Sequence, residues 1–259
     1  MKKIVRGFIA LALAIVGNAA QALTYTATGP GDATNKTLSA SATFTVSGLK
    51  LIITLSNTAT YDADDSGDIL TGIFFRLAGD PLLTRTSAVL GPNTAIKGRS
   101  GVSGPGMNVG GEWAYRNDLA GISSGTNAPN EGISSTTLKQ FGKRHRFSGP
   151  NLQGPTAPGG AEYGVTTAFD GLGNDKRSIR RQQLIENTVI FTLSGLSSNF
   201  ALADISNVSF QYGTSFRDAE LAGTSSGVVQ VPEPSTIMLV GMGLFGAIVV
   251  MRLRSARHH

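Results

Sequence analysis

Apolar and polar residues alternate with a period of two along much of this chain. In "SATFTVSGLKLIITLSNT", Ala42, Phe44 and Val46 fall on one face of an extended segment. A turn containing Gly48 follows, and then Leu51, Ile53 and Leu55 alternate with Lys50, Ile52 and Thr54. That pattern predicts a β-hairpin with one buried face. "ILTGIFFRLAG" (69–79) predicts another strand. "NTVIFTLSGL" alternates Val189, Phe191 and Leu193, and "ISNVSFQYGT" alternates Val208, Phe210 and Tyr212. Helical periodicity is scarce in the body; the stretch from Gln182 to Glu186 is the short exception. Short strands joined by Gly-, Ser- and Thr-rich turns predict an all-β fold, a single antiparallel β-sandwich or jelly-roll-like domain.

Between Gly91 and Arg181 the pattern loosens into "GRSGVSGPGMNVGG", "SSGTNAPNEG" and "NLQGPTAPGG". A structureless loop of that length is uncommon in a compact domain. Short strands are therefore expected inside it, at "GEWAYR" (111–116) and "EYGVTTAF" (162–169). The flanking strands pair across it and close one domain with long Gly/Pro/Ser-rich loops. No repeat of fixed period is present.

The two ends of the chain follow a different grammar. Lys2, Lys3 and Arg6 precede an apolar run from Phe8 to Val16, and Ala20-Gln21-Ala22 supplies a small-x-small site. This is the three-part pattern of a secretory signal peptide, with signal peptidase cutting after Ala22. The general secretory route is expected, since no twin-arginine pair precedes the apolar run. At the other end, Pro232 and Pro234 stop the body near Gln230. Ser235 or Thr236 then caps an apolar run from Ile237 to Met251. Fifteen residues at 1.5 Å each make about 22 Å of helix, short of a bilayer core of about 30 Å. Gly241, Gly243 and Gly246 suit close packing in lipid. Arg252, Arg254 and Arg257 form a stop-transfer cluster, which places the body outside and the tail inside. The expected organisation is a signal peptide helix over 1–22, a secreted β-sandwich over 23–230, and a tail with a transmembrane helix over 231–259.

The order Val231-Pro232-Glu233-Pro234, short apolar helix and arginine-rich end resembles the PEP-CTERM sorting signal of Gram-negative bacteria. In that family the proline-flanked motif is read by an exosortase, an integral-membrane cysteine protease or transpeptidase. The resemblance implies that the body is held on the periplasmic face of the inner membrane, then processed and passed to the cell surface or beyond. Such sorting usually occurs in species that make exopolysaccharide, which implies a biofilm or matrix setting. The body in turn resembles a group of exosortase-dependent surface proteins, through Val109 to Arg116, Gly149 to Pro155 and Val208 to Thr214. That likeness implies a family label without a mechanism.

Composition removes several classes of function. The chain has no cysteine in 259 residues, which excludes disulfides, thiolate metal sites and cysteine nucleophiles. His145 is the only histidine outside the tail, which leaves Ser-His and metal-His constellations without partners. The net charge of +5 belongs to the two ends; the region from Leu23 to Gln230 carries equal numbers of acidic and basic residues. Nucleic acid is not an expected partner.

Three clusters remain as candidate sites. In "YDADDSGDIL", Asp62, Asp64, Ser66 and Gly67 match the first positions of a calcium loop, but Ile73 stands where the bidentate carboxylate belongs. A looser Ca2+ site on Asp62, Asp64, Asp65 and Asp68 is one reading; a solvated turn is the other. "FGKRHRF" sets Lys143, Arg144 and Arg146 around His145, a run that would hold an anionic polysaccharide or serve as an exposed loop. "NDKRSIRR" (174–181) would extend it. Trp113 and Tyr115 would stack on a sugar ring if exposed, or fill the core if not. Carboxylate pairs such as Glu112 with Glu131 or Glu162 are the material for glycoside hydrolysis, though no spacing supports that role. The expectation is a non-catalytic surface or matrix protein, with a carbohydrate-binding module as the alternative and a glycoside hydrolase behind it.

Overall fold

Alternation becomes register in the first sheet. A computed structural model describes residues 20–32, 34–98, 103–119, 128–136, 150–154, 161–171, 176–177, 179–215 and 218–231. Strand β1 (Ala20–Pro30) pairs antiparallel with β2 (Thr37–Ser47), from Ala22 opposite Thr45 to Pro30 opposite Thr37. β2 turns into β3 (Lys50–Asn57) through Gly48-Leu49, where Gly48 takes φ 59°. That left-handed conformation at the first position of a two-residue hairpin turn is open to glycine at little cost. Leu51, Ile53 and Leu55 are fully buried, as their spacing predicts. Val46 keeps the expected face, opposite the buried Leu51, but is 36% exposed close to the hairpin turn.

The remaining strands are β4 (Leu70–Leu77), β5 (Thr84–Leu90), β6 (Ile96–Lys97), β7 (Ala114–Arg116), β8 (Glu131–Ser134), β9 (Val165–Thr166) and β10 (Leu184–Glu186). They are followed by β11 (Thr188–Ser194), β12 (Ile205–Tyr212), β13 (Glu220–Ala222) and β14 (Thr224–Val231). One sheet runs β14-β1-β2-β3-β11-β5, and the second runs β13-β12-β4-β9-β10-β6. β8 joins the second sheet beside β4, and β7 pairs with β8. Residues 21–229 form one compact unit. The all-β fold is as expected, with one departure: β9 and β10 pair parallel.

The core lies between the sheets. Phe44 of β2 meets Phe75 of β4 edge to face at 5.5 Å, and Tyr25 of β1 adds a second edge contact on Phe44 at 6.0 Å. β4 is buried along nearly its whole length, which explains its continuous apolar run. Ile73, Phe75 and Leu77 belong to the main core, whereas Phe74 packs with Ala114 and Leu119.

The two strands expected inside the loop region exist in shortened form, as β7 and β9. The helix expected from Gln182 to Glu186 is corrected: Leu184–Glu186 is strand β10. It pairs with β6 on one side and β9 on the other, so ladder bonds and burial of Leu184 and Ile185 override local helix preference. β14 has the opposite character. Residues 224–230 are all exposed, including Val228 at 43% and Val229 at 50%.

The expected signal helix and transmembrane helix lie outside the described residues, apart from the strand residues Ala20, Gln21 and Ala22. Ala22 is buried within β1, opposite Thr45. Cleavage after Ala22 would leave Leu23–Pro30 as the first strand, with its pairing from Leu23–Phe44 onward. Among the described residues no helix is long and apolar enough to cross a membrane.

Candidate functional site

Asp62, Asp64, Asp65 and Asp68 occupy the turn that leads from β3 to β4. Asp65 caps the single helical turn Ser66–Asp68, accepting from the Gly67 N–H at 3.1 Å. Asp68 is buried. Its Oδ2 accepts from the Asp64 and Asp65 N–H groups at 3.1 and 3.2 Å, and its Oδ1 accepts from Thr34 Oγ1 at 2.5 Å. Asp64 pairs with Lys36 at 2.5 Å, and Asp65 with Lys176 at 3.1 Å. Asp62 Oδ1 accepts from the Gly171 N–H at 2.8 Å. Each carboxylate thus has its own donors, and the four do not converge on a common point. Among the described residues no group of three His, Asp or Glu is placed to hold a metal ion. Asp62, Asp64, Asp65 and Asp68 form a capped turn tied by lysines. Burial raises the Asp65 pKa, but bonds from Gly67, Lys176 and Ser66 outweigh it and hold the carboxyl below its ordinary value.

Trp113 and Tyr115 are buried, which corrects the sugar-stacking reading. Trp113 is 0% exposed and meets Phe191 of β11 edge to face at 4.9 Å. It joins the two sheets and presents no face to a ligand. Tyr115 on β7 donates from its hydroxyl to Glu131 Oε2 on β8 at 2.5 Å. Both side chains are out of water, and Glu131 Oε1 has no partner among the described residues. Burial raises the Glu131 pKa, partly offset by the Tyr115 bond and reinforced by Asp80, to about 8. Burial and the neighbouring Glu131 push the Tyr115 phenol well above its usual range.

Glu112 lies just ahead of Trp113. Burial raises its pKa and the charge of Glu162 raises it further. Lys143, Arg144, His145 and Arg146 lie outside the described residues, as do Pro232, Glu233, Pro234, Arg252, Arg254 and Arg257. Of Val231 and Ala20 only the strand backbone is described.

Two of the quoted body motifs meet in space. The Gln153 N–H donates to Gly110 O at 3.0 Å, the Leu152 N–H to Trp113 O at 2.8 Å, and the Tyr115 N–H to Pro150 O at 3.0 Å. A Cβ on Gly110 would lie 2.8 Å from the Gln153 nitrogen, so the close approach requires glycine there. The third motif ends β12 at Gly213, whose φ of 76° and contact with Asp218 again suit glycine. These motifs build the fold.

Sequence reasoning missed a second buried pair. Lys97, at the end of β6, places Nζ 2.5 Å from Asp170 Oδ1, and the two side chains are only 6% and 0% exposed. Asp170 Oδ2 accepts from Thr166 Oγ1 at 2.6 Å. Burial raises the Asp170 pKa and a hydrogen bond with Asp62 raises it further. Lys97 and Thr166 pull it back, leaving about 6. Seventy-three residues separate Lys97 from Asp170, so no local spacing announces the pair.

The described residues of the body thus form a two-sheet all-β unit. Residues 230–255, which follow directly on it, match the family model of the PEP-CTERM protein-sorting motif. The chain carries that sorting motif, which implies export, exosortase processing and delivery to the surface. No curated protein and no solved structure matches the chain.

Proposed function

We propose that this chain is a structural component of the cell surface or extracellular matrix, non-catalytic, delivered there by exosortase processing and associated with exopolysaccharide or biofilm. The observation that carries this reading is the sorting motif at 230–255, set directly behind a β body. Signal peptidase removes 1–22, the tail parks the body at the inner membrane, and exosortase acts near Val231 to Pro234. Further support comes from how polar groups are used in the body. The carboxylates of the Asp62–Asp68 turn are consumed by caps and ion pairs, and the aromatics of the "GEWAYR" segment are consumed by packing. A carbohydrate-binding role would rest on Lys143, Arg144 and Arg146, because Trp113 and Tyr115 have no exposed face to offer.

The test is to map the C-terminal peptide of the protein in the host's surface fraction by mass spectrometry, with and without exosortase. A mature end near Val231 to Pro234 that needs the enzyme supports the reading. Retention of Arg252 to His259 in the mature protein overturns it and makes the tail a permanent anchor.

A further inference from the structure

An ammonium and two carboxyls meet at one edge of the second sheet. Lys97 donates to Asp170 Oδ1 at 2.5 Å and to Gly171 O at 2.6 Å. The Asp62 side chain hydrogen-bonds the Asp170 carboxyl, and Asp62 Oδ1 is fixed by the Gly171 N–H. Thr166 Oγ1 holds the other oxygen of Asp170. All three groups that would react are therefore positioned by backbone or side-chain bonds, and the central two are shut off from water.

A buried ion pair is a weak source of stability, since removing both charges from water offsets their attraction. Two carboxyls in contact do not both ionise easily, and the Asp170 pKa, raised first by burial, is accordingly raised further. The Lys97 nitrogen and the Asp170 carboxyl are held 2.5 Å apart with water shut out. An amine held against a protonated carboxyl, with a second acid bonded to that carboxyl, is the reactant arrangement for amide formation.

We propose that Lys97 and Asp170 condense spontaneously into an intramolecular isopeptide bond, with Asp62 as the assisting acid. The Lys97 ammonium passes a proton to the carboxyl pair, and the amine lone pair attacks Asp170 Cγ. A C–N bond forms and the carbonyl π pair moves to oxygen, stabilised by the proton that Lys97 passed to the carboxyl pair. The tetrahedral centre then collapses, the bond from Cγ to one oxygen breaks, and that oxygen leaves as water. Two of the three ammonium protons depart with it, and the third stays on the amide nitrogen. Asp62 returns to its starting state, and no oxidant, reductant or metal is consumed. The bond closes a loop between β6 and the segment after β9, tying the edge strand β6 to its sheet across β10. In a chain without cysteine it fills the place of a disulfide.

The test is a tryptic map of the full chain, folded and incubated at neutral pH. The expected product joins residues 86–99 to residues 147–176, with no cleavage after Lys97 and a mass one water below the sum. Asp170→Asn should form the same link with loss of ammonia instead of water. Asp62→Ala should leave a folded body, by circular dichroism and melting, in which the link forms at least ~10-fold more slowly, since a positioned acid contributes on that order or more. Separate peptides 86–97 and 147–176 at full mass from folded wild-type protein would overturn the proposal. So would an unchanged rate of linkage in Asp62→Ala, as far as the role of Asp62 is concerned. If Asp62→Ala does not fold, the wild-type map and Asp170→Asn decide.

Discussion

The Tyr115 hydroxyl reaches across from β7 to Glu131 Oε2 on β8, 2.5 Å away, in a place where neither side chain touches water. The acid is therefore held protonated near neutral pH, with its pKa raised to about 8. In the unfolded chain a glutamate titrates near 4.3. Between those values the folded state binds more protons than the unfolded state, so this residue makes stability fall as pH rises. Its contribution is fully present below about pH 4, declines through the interval, and levels off above about pH 8. The slope is at most about 1.4 kcal/mol per pH unit for one proton. Urea midpoints measured from pH 5 to 9 should fall for the wild type. Glu131→Gln, which keeps an acceptor for Tyr115, should flatten the curve above pH 6. A wild-type midpoint that rises over that range would contradict the assignment.

Trp113 is the only tryptophan in the chain, and its packing on Phe191 makes it a reporter of the sandwich core. Trp113→Ala should cost about 3–5 kcal/mol in a urea titration. Trp113→Phe should cost less, about 1–2 kcal/mol, because it keeps a ring and removes an indole N–H that has no partner among the described residues. The wild-type emission should be blue-shifted and move to the red on unfolding.

Gly110 lies against the backbone of Gln153, where a Cβ would come within 2.8 Å of the nitrogen and 3.0 Å of the oxygen. Gly110→Ala should destabilise by about 1–3 kcal/mol, since backbone on both sides has to move. Gly104 has nothing within 4 Å of its would-be Cβ, so Gly104→Ala serves as a control within about 0.5 kcal/mol. The two midpoints, read from thermal melts, should separate clearly.

Asn57 is a buried junction at the end of β3. Its Nδ2 donates to Asp68 O at 3.2 Å and to Val165 O at 3.1 Å, and its Oδ1 accepts from the Ala59 N–H at 3.3 Å. The side chain ties the first sheet to the acidic turn and to β9. Asn57→Ala strands these groups and should cost about 1–3 kcal/mol. Hydrogen exchange should rise locally at Ala59.

The parts of the fold that were legible are those where burial is one-sided. β2, β3, β11 and β12 each expose one face of the strand or cover it with polar residues, so their alternation survives in the sequence. β1 alternates Leu23, Tyr25 and Ala27 in the same way, but its start overlaps the small-x-small pattern of the signal peptide, which obscures it. β10 reads as helix because "QQLIE" is built from good helix formers, and only its two neighbours make it a strand. The acidic turn was legible as a turn; its partners Lys36 and Lys176 were not, because ion pairs between distant segments leave no periodic trace. Lys97 and Asp170 were invisible for the same reason. The sorting tail was the most legible feature, since recognition by a processing enzyme depends on linear order and needs no tertiary contacts.

β14 is held to the first sheet by its pairing with β1 and by hydroxyl contacts such as Ser226 Oγ to Thr24 O at 3.1 Å, while residues 224–230 are all exposed and contribute no fully buried side chain. The final strand of the body is therefore a replaceable part. A body ending at Ala222 should keep its core and accept a synthetic peptide of 224–231 in trans. The vacated edge then becomes a socket into which foreign strands can be plugged for display.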